Sequence, residues 1–151
     1  MIYSEKLKYL REERELTQKD LGDLLEIHAA TYSQFEREDS LIPIKRLITL
    51  ASFYNVSIDY LFSFTTNRQY NNNLKEINLE LSGQRLKEIR KTNKFTQAKL
   101  ANYLNTTQSN IVGYEKGSFP IATPYLYMIC QKFKVSSDYL LGKINNPKYL
   151  T

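Results

Sequence analysis

The chain has 151 residues, 42% of them hydrophobic and 25% charged, and a net charge of +5 at neutral pH. That length buries one ordinary core or two small ones, and the composition is that of a globular protein. No apolar run approaches the ~18 residues of a membrane span, the single cysteine, Cys130, forms no internal disulfide, and the single histidine, His28, builds no metal site alone. Neither a Gly-rich phosphate loop nor a nucleophile elbow occurs, and no His or Cys stands beside an acidic partner at motif spacing. An enzyme is therefore not expected, nor a cofactor, a metal or a small-molecule ligand. The opening stretch MIYSEKLKYLREERE interleaves charged and apolar residues and lacks the apolar region of a signal peptide, so the cytoplasm is the expected location.

In chain order, apolar spacing of three and four predicts helices near Glu5–Glu15, Gln18–Leu25, Ala29–Arg37, Ile44–Tyr54 and Ile58–Phe62. Ser57, with Asp59 in the following turn, has the chemistry of a helix cap. Residues 63–81 are polar around TTNRQYNNN and read as a linker. Within them Leu74, Ile77 and Leu81 fit a helical turn, while Ile77, Leu79 and Leu81 fit an extended piece equally well. Helices follow near Gly83–Asn93, Gln97–Leu104, Gln108–Lys116, Pro124–Phe133 and Ser137–Leu141. Pro124 suits a first helical position, where no N–H is needed, and Ser136 is placed to cap the last helix. The tail KINNPKYLT has no periodicity and is expected to be mobile or to dock by Tyr149 and Leu150.

Sliding the sequence by 79 residues lays Leu7–Phe62 on Leu86–Leu141 without a gap. Identities such as Leu7/Leu86, Arg11/Arg90, Thr17/Thr96, Gln18/Gln97, Glu36/Glu115 and Asp59/Asp138 fall mostly at core and cap positions. Two copies, each with a complete apolar pattern, make a duplicated domain rather than a solenoid. The expected fold is all-α, with two five-helix domains in tandem at 1–64 and 81–143, a polar linker at 65–80 and a tail at 144–151.

The stretch Thr96–Gly117 is the most informative. Thr96 caps a helix whose apolar stripe is Leu100, Ala101 and Leu104, and Asn105, Thr106 and Thr107 break the pattern with turn chemistry. The second helix turns Ile111 and Tyr114 inward and leaves Gln108, Ser109, Asn110, Val112 and Gly113 outward with no apolar duty. A helix free on one face after a three-residue turn suits the DNA major groove.

Both copies resemble the phage repressor and Cro family of helix-turn-helix domains, often called XRE-type or lambda-repressor-like. LKEIRKTNKFTQAKLANYLNTTQSNIVGYEKG and, less closely, LKYLREERELTQKDLGDLLEIHAATYSQFERE carry the likeness, which continues through VSSDYLL and VSIDYLF. The resemblance implies a sequence-specific regulator of transcription, a repressor, with double-stranded DNA as partner, from a bacterium, a phage or a mobile element. It also implies roles by position. Gln97 touches a phosphate and steadies Gln108, which reads adenine through a bidentate pair, and Ser109 or Asn110 adds a hydrogen bond. Val112 meets a thymine methyl. Gly113 stands where relatives often carry a longer reader, so contact there is lost or left to water. Lys87, Lys91, Lys94 and Lys116 attract phosphate, with Thr107 and Ser118 flanking the reading helix. Arg90 with Glu115, and Arg11 with Glu36, match an arginine and glutamate that pair between helices one and three, an internal ion pair in preference to a phosphate contact.

Charge separates the two copies. Residues 1–62 carry eight Lys or Arg against eleven Asp or Glu, a net of −3, whereas residues 81–151 carry eleven against three, a net of +8. Attraction to DNA comes from phosphate neutralisation, so the second copy is expected to be the principal reader. In the first copy Glu38 and Asp39 stand where the second has Gly117 and Ser118, and Ala29 and Ala30 replace Gln108 and Ser109. Gln18, Thr31, Ser33 and Gln34 leave it capable of weaker contacts. An auxiliary or assembly role is expected for it, and a flexible linker of about 18 residues, averaging ~23 Å, also lets one chain bridge half-sites ~34 Å apart. Helix four of each copy is unusually apolar, with Tyr125, Tyr127 and Met128 beside the core residues of one and Ile44, Ile48 and Phe53 in the other, so a contact between copies or between chains stands beside simple core packing. The competing function is a protein-interaction module, such as an antitoxin or anti-regulator.

Overall fold

A computed structural model of the chain describes residues 1–68 and 76–148, and every regular element among them is an α-helix. The chain divides into two compact units, Met1–Asn72 and Asn73–Leu150. The first contains α1 (Ser4–Glu13), α2 (Gln18–Leu25), α3 (Ala29–Arg37), α4 (Ile44–Tyr54) and α5 (Ile58–Leu61). The second contains α6 (Leu79–Thr92), α7 (Gln97–Leu104), α8 (Gln108–Lys116), α9 (Thr123–Phe133) and α10 (Ser137–Leu140).

Polar residues at helix starts fix most of these bounds. Thr17 and Asp20 form a reciprocal capping box: Asp20 N donates to Thr17 Oγ1 at 3.0 Å, and Thr17 N donates to Asp20 Oδ2 at 2.8 Å. Thr96 accepts from Lys99 N, Thr107 from Asn110 N, and Ser57 and Ser136 from Tyr60 N and Tyr139 N. Left-handed residues end α2, α3, α7 and α8, and only α8 uses a glycine, Gly117 at φ 71°. In the first unit Leu7, Leu21, Leu25, Tyr32, Leu47, Leu50, Ile58 and Leu61 make the core. In the second it is Leu86, Leu100, Leu104, Ile111, Leu126, Ile129, Cys130 and Leu140.

Four features depart from the sequence expectations. The first helix of the second unit starts at Leu79, four residues before Gly83, because Asn78 caps it by accepting from Leu81 N at 3.0 Å. Asn78 N also donates to Leu141 O at 3.1 Å, which pins this start against the unit's own last helix and decides the helical alternative for Leu79–Leu81. Of the expected linker, Thr65 is buried and Arg68 forms two hydrogen bonds to Glu13, at 2.7 and 2.8 Å. Leu74 and the rest of 69–75 lie outside the described residues.

Beyond Gly142 the chain is tied down as far as it is described. Arg85 stacks on the Tyr139 ring at 3.9 Å and donates to Ile144 O at 2.7 Å, while Ser136 N donates to Pro147 O at 2.8 Å. Tyr149 and Leu150, the expected docking residues, fall outside the described part. Finally, α9 begins at Thr123, so Pro124 occupies its second position, where its missing N–H is equally harmless.

Candidate nucleic-acid interface

In the second unit α7 and α8 are joined by Asn105–Thr107, with Asn105 left-handed at φ 57°. Ala101 is buried within this angle and Ile111 and Tyr114 turn into the core. α8 crosses α6 at very close range. A Cβ on Gly83 would lie 2.4 Å from Glu115 O and 2.7 Å from Tyr114 O, so only glycine lets the two backbones approach this far.

The crossing is locked by a bidentate ion pair. Arg90 Nε donates to Glu115 Oε2 at 2.7 Å and its NH2 group to Oε1 at 3.0 Å, with the side chains only 8% and 5% exposed. The third donor, NH1, reaches Phe95 O at 2.8 Å and thereby holds the turn before α7. One guanidinium thus joins α6, α8 and the entry to α7.

The first unit repeats this arrangement with Arg11, Glu36 and Leu16 O. Burial is the largest single influence on Glu36 and works against its ionised form, but the hydrogen bonds and charge of Arg11, with hydrogen bonds from Tyr32 and Gln18, together outweigh it and hold the carboxyl below its usual range. Arg11 is raised in turn, first by its hydrogen bonds to Glu36.

The expected reading residues divide into three groups. Gln108, Ser109, Lys116 and Ser118 are exposed on α8 and the turn after it, and Val112 is half-buried beside them. Thr107 and Asn110 are partly committed to the helix itself. The Thr107 hydroxyl caps α8, and Asn110 Nδ2 donates to Thr106 Oγ1 at 2.8 Å. Gln97, expected to touch a phosphate and steady Gln108, donates from Nε2 to Glu115 Oε1 at 3.4 Å. Lys87 and Lys91 are exposed on α6 and Lys94 on the turn after it. Lys87 and Lys91, four residues apart, share one face of α6.

Gly113 departs from the expectation that it faces outward with contact there lost or left to water. It is buried, and a Cβ there would come within 2.3 Å of the Phe119 ring. The sequence held no local signal for this, since Phe119 lies six residues on, past the end of the helix.

The equivalent face of the first unit is poorer in free polar groups. Ala30 is exposed and Ala29 half-buried at the start of α3, where His28 occupies the cap position without a side-chain hydrogen bond. Thr31 is half-buried, Ser33 Oγ accepts from Arg37 NH1 at 2.8 Å, and Gln34 Oε1 accepts from Ser40 Oγ at 3.3 Å. Gln18, half-buried at the start of α2, is drawn to Glu36 as Gln97 is to Glu115.

Glu38, read from sequence as a carboxylate that would repel DNA, has an internal task. Its Oε1 accepts from Ile2 N at 2.7 Å and Tyr3 N at 2.9 Å, satisfying donors at the start of α1. Asp39 pairs with Arg37 at 2.8 Å on the surface, which partly neutralises it. Helix four is better covered than its composition implies. In α9 Tyr125, Tyr127 and Met128 are half-buried, and in α4 Ile44 is buried, Ile48 half-buried and Phe53 37% exposed beneath the Arg14 guanidinium.

Comparison with known proteins finds a helix-turn-helix match in each unit. Residues 7–61 match the family described as Helix-turn-helix, and residues 83–146 match that described as Helix-turn-helix domain. The uncharacterized HTH-type transcriptional regulator YobD of Bacillus subtilis (strain 168) is 33% identical over 64 residues, 42% of this chain and 57% of that protein. The antitoxin PezA of Streptococcus pneumoniae serotype 4 (strain ATCC BAA-334 / TIGR4) is 34% identical over 67 residues, 43% of this chain and 42% of that one. The chain spans about half the length of the curated relatives it matches. Among solved structures, the restriction-modification controller protein C.AhdI from Aeromonas hydrophila is 24% identical with a TM-score of 0.38, covering 41% of this chain and 94% of that one.

Proposed function

Because the chain carries two helix-turn-helix domains in tandem, we propose that it is a sequence-specific, double-stranded-DNA-binding regulator of transcription, and a repressor, whose second unit is the principal reader. One observation carries this reading: α8 presents Gln108, Ser109 and Lys116 to solvent while its other face is locked to α6 by a buried ion pair. A rigid helix with a free polar face can enter the major groove without losing packing. The +8 charge of residues 81–151 supplies the attraction. The regulators among the relatives lend it support.

In this mechanism lysines of the second unit draw in the phosphates and Gln108 and Ser109 sample base edges. The test is a salt-dependent titration of the full chain against sequences selected from a random pool. Gln108→Ala is expected to lose ~1–3 kcal/mol of discrimination at one base pair while binding other sequences as before. Lys116→Ala should weaken binding to every sequence and reduce the slope of log affinity against log salt by about one. An unchanged slope would remove Lys116 from the phosphate contacts, and a wild-type chain that enriches no sequence would overturn the whole reading.

A second reading, a protein-binding role for the first unit, is favoured by its net charge of −3 and by the alanines at the start of α3. The likeness to an antitoxin points the same way. In that case a protein partner co-purifies without DNA, and substitutions at Ala29 and Ala30 release it. Contact between chains through α4 or α9 belongs to the same proposal, and sedimentation of the full chain as a monomer at all concentrations would exclude it.

A further inference from the structure

Phe119 is 41% exposed, yet its ring is held in place. It packs edge to face on Tyr114, with centroids 5.2 Å apart and planes at 77°, and it lies against the α8 surface at Gly113. Ser118 N donates to Gly113 O at 3.0 Å, which folds the chain beyond Gly117 back along the helix. By helical spacing that surface is continuous with Ser109 one turn earlier, Val112 beside it and Lys116 one turn later. The ring therefore sits within the proposed reading face. In the first unit the two corresponding positions are polar, Gln34 and Ser40, and hydrogen-bond to each other.

We infer that Phe119 is a specificity-determining residue whose ring edge packs on the 5-methyl group of a thymine in the major groove. The inference rests on the DNA-reading proposal and replaces the lost or water-filled contact expected at Gly113. An aromatic edge offers no hydrogen bond to a base, and the apolar group displayed on major-groove base edges is the thymine methyl. Exposed Gln108 and Ser109 toward the start of α8, and Lys116 near its end, bracket the ring with groups suited to bases and phosphate. Gly113 lies five residues beyond Gln108, ~7.5 Å along the helix. The thymine is therefore about two to three base pairs from the one that Gln108 reads, at ~3.4 Å per step.

The experiment uses the full chain and its pool-selected operator, with each thymine replaced in turn by deoxyuridine, which removes only the methyl. Wild type is expected to lose about fourfold in affinity at one thymine, the value of one buried methyl. Phe119→Ala should lose affinity for the parent operator and become indifferent to that replacement, while Phe119→Leu, which keeps apolar volume, retains part of the penalty. Gly113→Ala, which displaces the ring, should blunt the same penalty and leave the Gln108-dependent base pair intact. A deoxyuridine penalty equal in wild type and in all three variants overturns the inference, as does a selected operator in which no thymine methyl matters. Either result leaves the DNA-reading proposal standing. That proposal fails, and this inference with it, only if wild type selects no sequence.

Discussion

Glu115→Ala is expected to destabilise the second unit by ~3–5 kcal/mol and to abolish the DNA binding proposed for it. The magnitude follows from burial. Arg90 is 8% exposed and Glu115 5%, so truncation strands a guanidinium with its Nε and NH2 donors unpaired, away from water. Phe95 O continues to hold NH1, and Gln97 loses its acceptor as well. For a small unit such a loss is a large part of total stability. A urea melt that left Glu115→Ala at wild-type stability would contradict the account.

A second variant separates folding from positioning. Replacing both partners, as Arg90→Met with Glu115→Leu, leaves no charge unpaired, and folding should largely recover because desolvation offsets most of the attraction in such pairs. The crossing of α8 over α6 would then rest on non-directional packing, so DNA affinity should remain below wild type. Full recovery of both properties would mean that the pair does not set the geometry of the reading helix.

Gly83→Ala carries the second largest effect. Its new methyl would meet two backbone carbonyl oxygens of α8, at 2.4 and 2.7 Å, and neither can rotate aside as a side chain can. Moving α6 off α8 would stretch the Arg90–Glu115 bonds, so a loss of about 1–3 kcal/mol is expected, toward the upper end for a backbone clash. Thermal melting of the full chain gives the shift, and melting unaltered from wild type would show that the helices separate at no cost. The first unit has Ser4 at this position, buried, with its hydroxyl directed to Met1 Sδ at 2.7 Å and Glu38 Oε2 at 3.4 Å. One repeat thus solves the same crossing with a carboxylate and a hydroxyl where the other uses bare backbone.

That difference bears on how the acidic first unit is understood. Glu38 contributes to its negative charge but spends its carboxylate on the N–H groups of Ile2 and Tyr3, 36 and 35 residues away. Charge counting treated it as surface charge facing a partner. The asymmetry between the units survives in other residues, notably Ala29 and Ala30 against Gln108 and Ser109, and in the hydrogen bonds that already engage Ser33 and Gln34.

Local chemistry made most of the helical framework legible. Apolar spacing gave the helices, and Thr17, Ser57, Thr96, Thr107 and Ser136 marked their starts, because a cap acts within three residues of itself. The repeat over 79 residues exposed the two domains, and the family resemblance implied the arginine–glutamate pairs that span 25 residues in each. The start of α6 escaped, since Ile77, Leu79 and Leu81 suit either period and the deciding bond runs from Asn78 N to Leu141 O. Phe119 over Gly113 and Glu38 on the first turn of α1 escaped for the same reason.

By itself, then, the sequence determined an all-helical pair of repeats, most of their caps, and an α8 whose Gln108, Ser109 and Lys116 have no core to fill. Tertiary structure alone decided how closely α6 and α8 cross at Gly83, where the buried Glu115 draws Gln97, and what covers Gly113. The first set depends on interactions within one or two helical turns, which periodicity and cap chemistry record. The second depends on which backbone segments touch, and such contacts leave their mark only as a missing Cβ or an exposed ring whose partner lies elsewhere in the fold.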